Sequence, residues 1–167
     1  MILVCSLRAA AEQVSFIGAT KAISILGADT AHPAFETVQG DHHLRLTFND
    51  VAVASPGLTA PVGHDMVKLL TFIRQWDRTA PLLIHCWAGI SRSTAAGYIA
   101  TCMLQPERDE EELAWALRKA SPSATPNLLL IKLADEALGR DGRMRRAIGD
   151  IGRGADAFEG APFKLEI

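Results

Sequence analysis

The chain has 167 residues, 49% of them hydrophobic, with a formal net charge of -2 and three cysteines. That length suits one domain, residues 1–167, with a core of its own, and the near-neutral balance without a long basic run argues against a nucleic-acid partner. No apolar stretch approaches the roughly 18 residues that span a bilayer, and the N-terminus lacks a charged region ahead of its apolar run; with Cys5, Cys86 and Cys102 odd in number and far apart, this reads as a cytoplasmic chain in a reducing compartment.

Ile2 to Ser6 is a short apolar run suited to a buried strand, Ala9 to Ile17 follows as a helix that Gly18 stops, and Ala22 to Leu26 is a second strand. Cys5 belongs to that core, with a regulatory disulfide to Cys86 as the sharper alternative. Asp29 to Gly40 is irregular. His43 to Phe48 alternates, so a half-buried strand would put Leu44, Leu46 and Phe48 on one face and His43, Arg45 and Thr47 on the other. It stops at Asn49-Asp50, and the loop VAVASPGLTAPVG beyond it is long enough to close over a ligand. Apolar positions from Val62 to Trp76 recur at helical spacing and return the chain to a strand at Leu82. Ser93 to Leu104 is small or apolar on nearly every side, as a central buried helix would be. Pro106 ends it, and Asp109 to Glu112 suit the first turn of a helix running to about Lys119. Pro126-Asn127 opens a further helix through Leu138, a short one covers Arg143 to Ile148 with a solvated basic face, and Gly149 to Ile167 is an extended tail that Phe158 and Phe163 pin to the body. His42, His43 and His64 have no spacing that would hold a metal.

The chemistry concentrates in PLLIHCWAGISRST, Pro81 to Thr94. An apolar strand ends in His85-Cys86, a loop with Gly89 follows, and Arg92 opens the next helix. A tight strand-to-helix turn leaves backbone N–H groups unpaired at the positive end of a helix, a nest that wants an anion. Trp87, Ala88, Gly89, Ile90 and Ser91 would supply those groups, and Gly89 lets the backbone curl. A cysteine at the base of such a nest has its nucleophilic thiolate form favoured, and the planar fork of Arg92 matches two phosphate oxygens, which a lysine cannot do.

These residues match HCxxGxxR(S/T) and resemble the signature of the cysteine-dependent protein tyrosine phosphatases; in the form HCWAGISRS they are most similar to the dual-specificity branch. The likeness extends loosely from Leu44 to Leu138, including the Pro126-Asn127 pair. It implies an α/β fold with a central, mostly parallel twisted sheet of four to five strands flanked by helices. It also implies a phosphomonoester hydrolase that works through a phosphocysteine on Cys86 without metal or cofactor, with Arg92 binding the phosphoryl group, Ser93 supporting the departing thiolate and His85 ordering the loop. Asp50, 36 positions before Cys86, stands close to the separation of the family's general-acid aspartate, with Asp65 and Asp41 as substitutes. The expected partner is a phosphorylated protein carrying phosphotyrosine, with phosphoserine and phosphothreonine as further substrates. Phosphoinositides are the alternative, weakened by the lack of lysine inside the loop, and a phosphate-recognising module of little activity is the second alternative.

Overall fold

Short runs rich in Ile, Leu and Val become strands where both faces can be covered. The computed structural model, which describes residues 1–167, has them at β1 (Ile2–Ser6), β2 (Lys21–Leu26), β3 (His43–Thr47), β4 (Leu82–Cys86) and β5 (Phe163–Leu165). The helices are α1 (Leu7–Phe16), α2 (Gly63–Arg74), α3 (Arg92–Leu104), α4 (Glu110–Ala120), α5 (Leu128–Ala137) and α6 (Arg143–Ile151). One sheet forms in the order β3-β2-β4-β1-β5, parallel except for β5, which runs antiparallel to β1. This is the mostly parallel α/β sheet expected.

Parallel strands end at a common edge, so Ser6, Asn49-Asp50 and Cys86 converge there, where open α/β sheets bind ligands. One face carries α1 and a nine-residue cluster that includes Leu3, Cys5 and Leu83. The other carries the 34-residue main core, in which Ile2, Val4, Leu82, Ile84 and Cys86 meet the remaining helices. At the centre of that face α3 is buried at every residue from Arg92 to Cys102. Gly97 allows the close seat, because a Cβ there would lie 3.0 Å from Val4 Cγ2 and Leu165 Cδ1.

Several details differ from the sequence reading. α1 starts two residues early because Ser6 caps it, its Oγ accepting the Ala9 N–H at 3.3 Å. α6 extends to Ile151 because Met144, Ala147, Ile148 and Ile151 form a buried stripe. On β3, Arg45 and Thr47 are exposed, but His43 is buried opposite Leu46, stacked 4.9 Å from Phe35. The acidic run before α4 divides. Asp109 caps the helix, whereas Glu110 is buried and receives Arg140 at 2.9 Å and Arg143 at 3.1 Å. Arg140, with a side chain 11% exposed, is therefore an internal anchor, whereas Arg143, at 46%, stays with Arg145 and Arg146 on the expected solvated basic face. The tail is no loose extension either, since Phe163 seats in the core as part of β5. Phe158 does not pin it: its ring is 82% exposed. Cys5 and Cys86 fall on opposite faces of the sheet, so the disulfide alternative lacks geometry, and burial pushes the Cys5 thiol up to about 12. No helix is long and apolar enough to cross a membrane.

Candidate active site

β4 delivers Cys86 as its last residue, and α3 begins at Arg92, so the intervening loop must reverse within five residues. Its carbonyls are drawn outward to fixed donors. Trp87 O accepts from Leu7 N–H at 3.1 Å, Ala88 O from Gly160 N–H at 2.9 Å, Ile90 O from Thr125 N–H at 2.9 Å and Ser91 O from Asn127 N–H at 3.3 Å. The N–H groups of Ala88, Ile90 and Ser91 have no acceptor in the protein, and that of Gly89 points at Cys86 Sγ, 3.3 Å away. Gly89 has φ +73°, and a Cβ on it would lie 2.8 Å from the Cys5 and Ser6 backbone, so no other residue fits. The loop thus leaves three backbone N–H groups free between a cysteine and the N-terminus of α3, where the helix dipole favours negative charge.

Ser93 Oγ lies 3.1 Å from Cys86 Sγ. Arg92 is buried, its Nη1 donating to Phe48 O at 2.9 Å. That bond holds one end of the guanidinium and leaves the Nε edge without a hydrogen-bond partner, 3.7 Å from Asp50 Oδ2. Asp50 Oδ1 accepts from Ser91 Oγ at 2.7 Å and Asn127 Nδ2 at 2.8 Å, while Asn127 also reaches Val51 O at 3.0 Å. Asp50, Cys86, Trp87, Ala88, Ile90, Ser91, Arg92, Ala157 and Phe158 together line a cleft of about 320 Å³. Asp65 is elsewhere: its carboxylate caps α2 by accepting the Val62 N–H at 3.0 Å. Asp41 lies in a single 3-10 turn ahead of β3, also outside the lining.

His85 points to the face opposite Cys86. Its Nε2 is 2.6 Å from Ser24 Oγ, which also meets His43 Nε2 at 2.7 Å, and burial holds both imidazoles down to about 4. Both rings are neutral at pH 7, so His85 can fix the strand that carries Cys86 but lends the sulfur no positive charge.

Three contributors to this site escaped the sequence reading. Asn127 was visible only as the opening of a helix; it does cap α5, its Oδ1 accepting the Leu130 N–H at 3.0 Å, and the same side chain restrains Asp50. Ala157 and Phe158 carried no local signal, because their place in the lining depends on how the chain returns after α6.

A family model for protein-tyrosine phosphatase matches residues 56–120, which include the Cys86 to Arg92 loop. Over those residues the chain is similar to the protein-tyrosine phosphatase family. Solved dual-specificity phosphatases share its fold. DUSP15 aligns with TM-score 0.62 and 21% identity over 89% of this chain and 90% of that one. Human DUSP28 aligns with TM-score 0.61 and 22% identity over 84% and 94%. PTPMT1, solved in complex with PI(5)P, aligns with TM-score 0.56 and 15% identity over 84% and 94%. No curated protein sequence matches the chain.

Proposed function

We propose that this protein hydrolyses phosphomonoesters, phosphotyrosine in proteins first, through a phosphocysteine on Cys86. The observation that carries the reading is the unpaired donor set beside the sulfur: three loop N–H groups and the Nε edge of a buried guanidinium, all on residues that line one cleft with Cys86. In the first step Cys86 Sγ attacks phosphorus, the S–P bond forms, the ester P–O bond breaks, and the leaving oxygen takes a proton from Asp50. The loop amides from Trp87 to Arg92 and the Arg92 fork carry the charge of the moving phosphoryl group. An entering dianion competes with Asp50 for Arg92, which releases the carboxyl to face the leaving group. In the second step Asp50 takes a proton from water, the water oxygen attacks phosphorus, and the S–P bond breaks with Ser93 Oγ donating to the departing thiolate. A reducing compartment keeps that thiol usable, so the cytoplasm is the fitting location.

One assay tests the reading. On an aryl phosphate the wild type should turn over, and Cys86→Ser should fall by at least about 10³-fold. Asp50→Ala should lose far more kcat on poor leaving groups than on good ones. A wild type no faster than Cys86→Ser would leave the binding-module alternative standing.

Phosphoinositides are the second reading, for a specific reason. Lys132, Arg145 and Arg146 line a groove of about 500 Å³ that reaches Ala52, two residues past Asp50. That charge stands outside the loop, where a headgroup bearing further phosphates could meet it. A panel of phosphopeptides and phosphoinositides separates the two, the first reading requiring the higher kcat/KM on phosphotyrosine.

A further inference from the structure

The segment between α6 and β5 has no regular secondary structure, yet it is fastened on both sides of the phosphate loop. At its start Gly154 N–H donates to Thr125 Oγ1 at 3.1 Å and Ala155 N–H to Pro122 O at 2.9 Å. At its end Glu159 accepts from Ser6 Oγ and pairs with Arg8 at 2.7 Å, and Gly160 N–H donates to Ala88 O at 2.9 Å. The approach is close, since a Cβ on Gly160 would lie 2.8 Å from Gly89 O. Between these anchors Ala157 and Phe158 pass the mouth of the cleft and line it together with Asp50 and Cys86.

Phe158 does not rest in the core. Its ring stands 82% exposed, edge-on to the half-exposed Trp87 with centroids 5.7 Å apart and planes 79° apart. The same two rings, with Leu7, Arg8 and Glu159, enclose a second depression of about 240 Å³ on their far side. Two large apolar rings held in water beside a charged cleft form a partition that bears on whatever projects from a bound phosphate. A phosphotyrosine projects a flat ring that can stack against such a partition. A phosphoserine or phosphothreonine projects only a short alkyl link and brings peptide backbone, whose polar groups an apolar wall cannot satisfy.

We propose that Phe158, carried by this C-terminal strap and buttressed by Trp87, is a specificity-determining wall that selects aryl over alkyl phosphomonoesters. The proposal rests on the phosphomonoester reading of the Cys86 to Arg92 loop.

The test uses Cys86→Ser as a binding trap, with phosphotyrosine and phosphothreonine peptides of identical flanking sequence titrated calorimetrically, beside wild-type kcat/KM on the same pair. The trap should hold the phosphotyrosine peptide about three- to tenfold more tightly, the range of an added aromatic contact. Adding Phe158→Ala, which removes an exposed ring and leaves the core intact, should bring the ratio close to one, chiefly by weakening phosphotyrosine; Phe158→Tyr should restore it. A ratio unmoved by Phe158→Ala, or a parent that holds both peptides equally, overturns the proposal while the phosphatase reading survives on turnover. If neither peptide binds the trap and the wild type turns over neither, the phosphomonoester reading itself falls and takes the wall with it.

Discussion

Two arginine–carboxylate clusters stand near the two ends of α3, and they are built differently. Around Glu110, Arg140 and Arg143 donate at 2.9 and 3.1 Å to the two carboxylate oxygens, and the Glu110 side chain is only 5% exposed. Arg140 completes the closure by donating to Cys102 O at 2.8 Å. Around Asp50 the geometry is open. The Arg92 Nε stops 3.7 Å short, outside hydrogen-bonding range, and the Asp50 side chain is 37% exposed on a cleft. A satisfied cluster ties α4 to the α5–α6 connection. A half-satisfied one leaves the Arg92 Nε edge free beside the cleft, as the proposed function requires.

Substitutions can break that contrast from both sides. The largest effect is expected at the open cluster: Arg92→Lys loses the fork and should cost about 10²–10³ in kcat, with little change in the urea midpoint. Near-normal turnover would mean that Arg92 is only a structural anchor like Arg140. At the closed cluster the outcome should invert. Glu110→Ala strands two guanidiniums, one of them buried, and should lower unfolding stability by about 3–5 kcal/mol, while the kcat of the protein that remains folded is kept. Denaturation curves and active-site-normalised kinetics on the same samples decide it, and a kcat loss matching that of Arg92→Lys would erase the distinction.

Acid offers a third handle, because the Ser24–His43–His85 network lies behind the loop on the other face. Both histidines are held near 4 by burial, against an ordinary 6.5. As the pH falls below 6.5 the unfolded chain takes up protons that the folded one refuses, so stability should decline between pH 6.5 and about 4, by an amount on the order of a few kcal/mol. Urea titrations across that window check it. Ser24→Ala, which removes the shared hydroxyl, tests whether the network also fixes the Cys86 strand, through a lower kcat at pH 7.

The smallest effect separates the two duties of Asn127. Asn127→Asp keeps a good helix cap but sets a second carboxylate against Asp50. Stability should change by less than about 1 kcal/mol while kcat on poor leaving groups falls several-fold. A loss of stability with unchanged kcat would assign Asn127 to capping alone.

The features read most fully from sequence are those whose causes are local. A strand that ends in a cysteine, a glycine able to take a positive φ, and an arginine at a helix start lie within seven consecutive residues, and their geometry follows from one turn. The buried α3 and the parallel sheet were visible for a similar reason, in small residues on all sides and in unbroken apolar runs. The errors fell where one residue type serves two ends. Glu110 looks like any acidic first-turn residue, and Arg140 like part of a solvated face, until the fold sets them against each other. His43 looked exposed by alternation, but Phe35 covers the second face of the sheet.

The sequence by itself determined the Cys86-to-Arg92 turn, its cysteine and arginine, and the α/β frame that presents them, because backbone turns and hydrophobic periodicity are set by neighbours along the chain. Only the tertiary structure decided that Asn127 restrains Asp50 across 77 positions, and that a tail read as peripheral adds β5 and lays Phe158 beside Trp87 at the cleft. Such contacts arise from how helices and strands pack, and nothing in the local pattern of either partner records the other.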